Sequence, residues 1–509
     1  MNFLSADYVV VGGGVCGVCI VDELNELLNS EEVPGTSDHS IIFVSGLGGY
    51  IKRAVNIKKV GQISTSFDIK SLNSNIFKES KRITCLNDEV NKWIPKEKRL
   101  ILKCGRIISY KKLAIATGAS PKQTIQSNPL IIRLRDTQTI NDLKEALSNS
   151  RRVLIFGNGG IASELAFKLK NIEVIWVIRH SHISATYFDM AAAKFFEPKL
   201  NEKEENKEVN SEIIYDKITL LNENNEQEKD NSSYSGSALG PHWIAKLALK
   251  HSDKDSRKLF ILNEIELNSV FNSKPDKLKE YELPNYFSKN SDWKLFVNLN
   301  DEKYIGSDLI IEATGVVPNT KTWKRDCPEL ELAEDNGILI DEHMRYFKEL
   351  FSCKLQFFRT NIPNVFAAGD VCTPRWTEER SHWKHIRLWT QARQMGIYCA
   401  RAILIDNLLP DIAFDIFSHV TEFFGYKVVL LGDFSAEKLE KPFEINYRIT
   451  ENVEYIKVIT KNHRIQGAVL IGETEMEEVM ENLILDQIDI SQIEDKLLDP
   501  NIDLEDYFD

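Results

Sequence analysis

The sequence predicts an α/β fold organised around two strand–glycine loop–helix units. Three observations predict it. Gly12-Gly13-Gly14-Val15-Cys16-Gly17 follows an apolar strand and opens a helical pattern. Gly157-Asn158-Gly159-Gly160-Ile161-Ala162 repeats that arrangement about 145 residues later. Short apolar strands alternate with helical stretches along most of the remaining chain.

At 509 residues the chain is too long for one core, so two or three domains are expected. A hydrophobic content of 43% and a charged content of 27% suit a soluble globular protein. The net charge of −13 argues against sequence-independent binding to a phosphate backbone, so no direct nucleic-acid binding is expected. The cysteines at 16, 19, 85, 104, 327, 353, 372 and 399 have no disulphide-framework spacing and read as reduced thiols. No metal site is expected. No apolar run reaches the ~20 residues of a membrane helix, and the first strand begins almost at Met1, so no leader is expected. These features point to cytosol or nucleus.

In chain order, Tyr8 to Val11 is the first strand, Val18 to Leu28 a helix and Ile41 to Val44 the second strand. Leu113 to Thr117 is a buried strand ending in a glycine turn. The second unit runs from Arg152 to Ile178. Residues near 198–232 are dense in Glu, Lys and Asn and read as a solvated insertion, with order resuming at Ser237-Ala238-Leu239-Gly240-Pro241. Strands follow at Leu309–Ala313, Val365–Ala368, Val428–Leu431 and Ala468–Ile471. The chain ends in an acidic stretch carrying Tyr507 and Phe508.

The glycine loops carry the chemistry. Gly12 permits a tight turn, Gly14 lets a pyrophosphate approach the backbone, and Gly17 lets helix and strand pack closely. The helix start offers free N–H groups to the phosphates. Gly157, Gly159 and Ala162 repeat the pattern, with Glu164 two residues on, so two dinucleotides are expected in one protein. The acidic residue that usually ends the second strand and binds a ribose is missing from both units. Ser45 follows Val44 in the first, and Ile178-Arg179 closes the strand of the second, which leaves NADP open beside NAD. Further close backbone approaches are expected at Thr117-Gly118, at Thr314-Gly315 and at Gly369-Asp370.

The order G-x-G-x-x-G, A-T-G, G-x-G-x-x-A, A-T-G-x-x-P-N, A-A-G-D resembles the pyridine nucleotide-disulphide oxidoreductase superfamily over roughly residues 6–405. That resemblance implies two Rossmann-like domains, with the NAD(P) domain inserted in the FAD domain and a C-terminal α+β interface-like domain. It gives the first segment of the FAD domain at 1–147, the NAD(P) domain at 148–318, the second FAD segment at 319–410 and the interface-like domain at 411–509. It further implies FAD on the first glycine motif and on Asp370, NADH or NADPH on the second motif, and a homodimer. The pieces Gly157–Ala162, Ser237–Pro241, Arg387–Gly396 and Leu498–Asp503 are similar to the domain-containing protein 1 family of that superfamily. This closer resemblance implies a flavin-dependent NAD(P)H oxidoreductase of cytoplasm and nucleus. It also implies a partner, the catalytic subunit of the tRNA ligase complex, protected against oxidation.

The superfamily's redox Cys pair should follow the second strand, yet Ser45-Gly46-Leu47-Gly48-Gly49-Tyr50-Ile51-Lys52-Arg53-Ala54-Val55 contains no cysteine. The resemblance places Lys52 where the disulphide would stand, and a cation there would favour reduced flavin. Cys16 and Cys19 read as small packed residues rather than a redox C-x-x-C. Cys372 is a second catalytic candidate, because a helix expected just after Asp370 would lower its thiol pKa. Trp389, Gln391 and Arg393 are expected on a later helix, with Trp389 and Arg393 sharing a face. Two functions fit: an oxidoreductase with no cysteine relay, and an NAD(P)H-sensing flavoprotein that acts mainly by binding, with the charged insertion and tail as docking elements.

Overall fold

The computed structural model describes residues 3–30, 38–134, 139–201, 213–220, 258–289, 292–299, 302–340, 360–377, 380–405, 408, 411–437 and 439–502. The chain divides into two compact units, Met1–Ser120 with Val317–His419 and Pro121–Val316 with Val420–Asp509. The first crossing precedes the expected 147/148 boundary because Ile131–Ile132 already pairs with Leu309–Glu312 of the second unit.

In the first unit the parallel strands run in the order Ile83–Leu86, Ile41–Val44, Phe3–Val11, Ile107–Ile115, with Val365–Ala367 also paired to Ile107–Ile115. Antiparallel Arg99–Leu102 and Val90–Ile94 extend the sheet. Val9, Val10 and Val11 are buried, as strands covered on both faces require. The helix Val15–Asn29 starts one turn earlier than the apolar spacing alone suggests, since Val15 and Cys16 are also buried. It crosses the helix Trp389–Leu404 at Gly396, where a Cβ would stand 2.6 Å from the Cys16 carbonyl oxygen and 2.9 Å from the Cys19 Cβ. The C-x-x-C is therefore a packing seam.

The second unit repeats the layout. Ile131–Ile132, Leu309–Glu312, Arg152–Phe156, Glu173–Val177 and Leu259–Leu262 form an all-parallel sheet. The helix Gly160–Lys168 follows its glycine loop. A four-stranded sheet and a six-stranded sheet complete the unit. The latter is antiparallel through Ile213–Leu220, Phe443–Thr450, Glu454–Lys461, Arg464–Ile471 and Tyr426–Gly432.

One expectation is corrected. The stretch 198–232 is not simply a solvated insertion. The helix Met190–Asn201 runs through its start, and Ile213–Leu220 is a strand paired residue by residue with Phe443–Thr450. The remainder of that stretch, Ser237–Pro241 and the tail 503–509 lie outside the described residues. The hairpin Tyr50–Lys59 with Thr65–Asn73 is an addition that the apolar pattern does not announce. Its strands carry too many exposed polar residues to read as buried, and a bulge interrupts the register between Val55 and Lys58.

Candidate functional site

Both glycine loops are built alike. Gly12 and Gly157 each have φ of +130°, and a Cβ on either would stand 2.1 Å from the carbonyl oxygen of Ala116 or Ala313. Those alanines end the neighbouring parallel strands. Ala116 donates its N–H to Val11 at 2.8 Å, and Ala313 donates to Phe156 at 2.7 Å. A side chain at Gly17 would meet the Gly12 oxygen at 1.9 Å. Gly14 and Gly159 differ in kind, because a Cβ there would meet nothing within 4 Å. The protein's own packing does not require these two glycines, and a ligand lying against the backbone would. Each is an N-cap without a side-chain cap, so the first-turn N–H groups are left to an anion. Both loops sit where strand order reverses, the position at which open α/β sheets bind nucleotides. The residues present fit a dinucleotide pyrophosphate on each loop.

Thr117 and Gly118 are locked by residues to which the sequence pattern assigns no role. Asn319 Nδ2 donates to the Thr117 carbonyl at 2.9 Å, and the Asn319 N–H donates to the Gly118 carbonyl at 2.9 Å. Thr117 Oγ1 donates to the Asn319 carbonyl at 3.2 Å and accepts from Trp323 Nε1 at 3.3 Å. The two A-T-G segments thus serve different loops, and the Pro-Asn that follows the second clamps the first. Gly315 has φ of +102° with open space beside it. Gly369 has φ of +76° and packs on Cys16. Arg387 fixes the Gly-Asp turn, its Nε donating to the Asp370 carbonyl at 2.9 Å while Nη2 meets Asp335 at 2.6 Å.

Ser45 is buried, and its hydroxyl donates to the Tyr50 carbonyl at 3.1 Å and accepts from the Leu47 N–H at 3.4 Å. Its Oγ lies 2.1 Å from where a Gly13 Cβ would be. The Ser45 side chain is thus engaged beneath the loop. Glu164 is exposed and pairs with Lys168 at 2.5 Å, one turn along the helix. Arg179 is exposed beyond Glu173–Val177.

Lys52 lies on the strand Tyr50–Lys59, and its side chain is buried. Its strand is held to the nucleotide loop by the Lys52 N–H donating to Gly13 and to the first helix by Arg53, bidentate on Asp22. The opposite strand carries Phe67, over which Arg393 stacks at 5.9 Å. Gln391 is buried, and its amide bridges the Ile386 N–H and the Lys384 carbonyl, whereas Trp389 is exposed.

Cys372 is corrected. No helix follows Asp370. A single 3-10 turn, Gly369–Val371, runs straight into the strand Cys372–Pro374. The thiol is fully buried and donates to the Gly369 carbonyl at 3.2 Å, and burial pushes its pKa well above the ordinary range. Burial also raises Cys16 strongly, Cys19 to about 12 and Cys85 to about 11. These are poor nucleophiles.

The sequence profile of the pyridine nucleotide-disulphide oxidoreductases matches residues 6–230 and 281–396. A protein of Pongo abelii named pyridine nucleotide-disulfide oxidoreductase domain-containing protein 1 is 37% identical, over 99% of this chain and 98% of the relative. Its namesake in Drosophila melanogaster is 36% identical over 99% of both chains. The chain belongs to the pyridine nucleotide-disulphide oxidoreductase domain-containing protein 1 family. Members of the wider family bind FAD and NAD(P)H and act as oxidoreductases. The fold is also that of the water-forming NADH oxidase of Lactobacillus brevis, solved with NADH. There the TM-score is 0.60 at 15% identity, covering 98% of this chain and 95% of that one.

Proposed function

We propose that this family member is an FAD-dependent NAD(P)H oxidoreductase that delivers electrons to an acceptor without passing them through a cysteine pair. The observation that carries the reading is the strand Tyr50–Lys59. It occupies the stretch where the superfamily keeps its disulphide, and it presents a buried Lys52 instead of cysteine. Bound FAD would supply the two-electron carrier between NAD(P)H and the acceptor. The chain's own residues do the rest. The glycine loops bind pyrophosphates, Arg387 and Asn319 hold the Gly-Asp and Thr-Gly turns in place, and Lys52 supplies a cation that favours negative charge near it. The resemblance read in the sequence implies cytoplasm and nucleus as its location and the catalytic subunit of the tRNA ligase complex as the protein it guards from oxidation, and both belong to this proposal.

The test is anaerobic addition of NADH or NADPH to the purified protein while the flavin absorption is followed. Bleaching by one equivalent, retained after Cys372→Ser, is the expected result. Bound flavin that neither coenzyme bleaches would overturn the oxidoreductase reading. Loss of turnover in Cys372→Ser would overturn the relay-free mechanism.

A further inference from the structure

The second glycine loop is tied to the residues after its second strand in an unusual way. Asn158 accepts the Ser184 N–H on Oδ1 at 2.5 Å, which fixes the orientation of its amide. Its Nδ2 then faces the His182 carbonyl at 2.8 Å and His180 Nδ1 at 3.1 Å. Since Nδ2 only donates, His180 Nδ1 accepts, and the proton of the neutral ring sits on Nε2. The 180–182 turn is braced from its other side as well. The Glu264 N–H donates to the His180 carbonyl at 3.1 Å, and Asn263 Nδ2 donates to the Ser181 carbonyl at 3.1 Å.

The bracing therefore fixes the His180 ring beside the loop with Nε2–H as its free donor, and Arg179, the residue before it, adds an exposed guanidinium to the same turn. Arg179 is exposed and makes no hydrogen bond or ion pair among the described residues. A site made for an unmodified ribose puts a carboxylate at the end of this strand to accept from the sugar hydroxyls. Here that end is Val177 followed by Ile178, which is 1% exposed. Glu173, at the strand's other end, is buried and committed to Arg152 and Ser288. Burial first, then the neighbouring Arg179 and His182, hold His180 below its ordinary pKa, which favours the neutral ring.

We propose that Arg179 and His180 form a subsite for the 2′-phosphate of NADPH, making the phosphorylated coenzyme the preferred reductant. The proposal rests on the reading of the second glycine loop as the nicotinamide-nucleotide site. Arg179 meets the phosphate as a planar, permanently charged donor, and neutral His180 adds one hydrogen bond. An adenosine ribose with a free 2′-hydroxyl leaves both donors without an anion.

The test uses full-length, FAD-loaded protein and two readouts. Calorimetry compares 2′,5′-ADP with 5′-ADP, and anaerobic flavin reduction compares NADPH with NADH. Tighter binding of 2′,5′-ADP by ~10- to 100-fold is expected, the range for one charge-assisted contact. In Arg179→Ala that ratio falls toward one, and Arg179→Lys restores some of it. Equal affinities in the parent protein, or an Arg179→Ala effect of the same size on both nucleotides, would overturn the subsite. A 2′,5′-ADP preference without flavin reduction by either coenzyme would uphold the subsite and overturn the oxidoreductase reading. Equal flavin reduction by both coenzymes with no 2′,5′-ADP preference would do the reverse.

Discussion

The Lys52 N–H donates to the Gly13 carbonyl at 2.9 Å, so a buried cation and the first nucleotide loop share one rigid attachment. The bond uses backbone atoms and therefore survives replacement of the Lys52 side chain. Lys52→Met keeps the apolar stem and removes only the charge. FAD should still bind, with a midpoint potential lower by roughly 30 mV or more, equivalent to ~1.4 kcal/mol for a two-electron couple. Redox titration against a reference dye reads this directly. An unchanged potential would remove Lys52 from the flavin's electrostatics.

Gly14 and Gly17 should separate ligand binding from folding. A Cβ at Gly17 overlaps backbone, 1.9 Å from the Gly12 oxygen, so Gly17→Ala should destabilise the first unit by roughly 3 kcal/mol or more. A Cβ at Gly14 has open space and an ordinary φ of −74°. Gly14→Ala should fold normally and lose FAD affinity by on the order of tenfold or more. Melting curves of the apoproteins and flavin titrations measure the two effects.

The thiols at Cys16, Cys19 and Cys372 should be inert. With Cys16 and Cys372 pushed well up by burial and Cys19 at about 12, thiolate is negligible at neutral pH. Iodoacetamide at a mildly alkaline pH should modify exposed Cys104 in the native protein and leave Cys16, Cys19 and Cys372 unmodified until denaturant is added. Peptide mapping by mass spectrometry would show it, and early native labelling of Cys372 would contradict its burial.

Legibility from sequence followed local pattern. The glycine loops, the strands beside them and the missing disulphide could all be read, because each depends on a few adjacent residues. The hairpin that carries Lys52 could not. Its place depends on Arg53 reaching Asp22 and on Phe67 under Arg393, contacts between residues far apart in the chain. The same holds for Asn319, whose amide serves Thr117 across a separation of 202 residues. Cys372 misled for the opposite reason. Its position after Asp370 suggested a helix N-terminus, while the structure turns the thiol toward the Gly369 carbonyl.

Acid should weaken the first unit through two histidines. Burial pushes His385 and His419 down to about 4, and His419 Nδ1 lies 3.1 Å from Thr390 Oγ1. A base whose folded pKa is depressed contributes stability that is complete above its unfolded pKa of about 6.5. That contribution is lost as pH falls from there through about 4. His419→Gln should flatten the stability profile between about pH 6.5 and about pH 4 and change little in mild alkali. Urea midpoints at several pH values would decide it, and parallel profiles for the two proteins would show that His419 is solvated in the folded state.

In the second unit, Asp189 and Lys457 form an ion pair at 2.8 Å with both side chains almost fully buried. Asp189 Oδ1 also caps the helix Met190–Asn201 by accepting from the Ala191 and Ala192 N–H groups, and Tyr455 OH approaches it at 3.5 Å. One carboxylate thus joins that helix to the strand Glu454–Lys461. Lys457→Met would leave the carboxylate buried without a cation, which costs roughly 3–5 kcal/mol. Asp189→Asn keeps the cap acceptor but leaves the ammonium unpaired, at a similar cost. The double variant removes both charges and retains the cap, so its loss should be well below the sum of the single losses. Chemical denaturation of the four proteins closes the cycle. Strict additivity would mean that the pair contributes nothing as a pair and that helix and strand are joined by apolar packing alone.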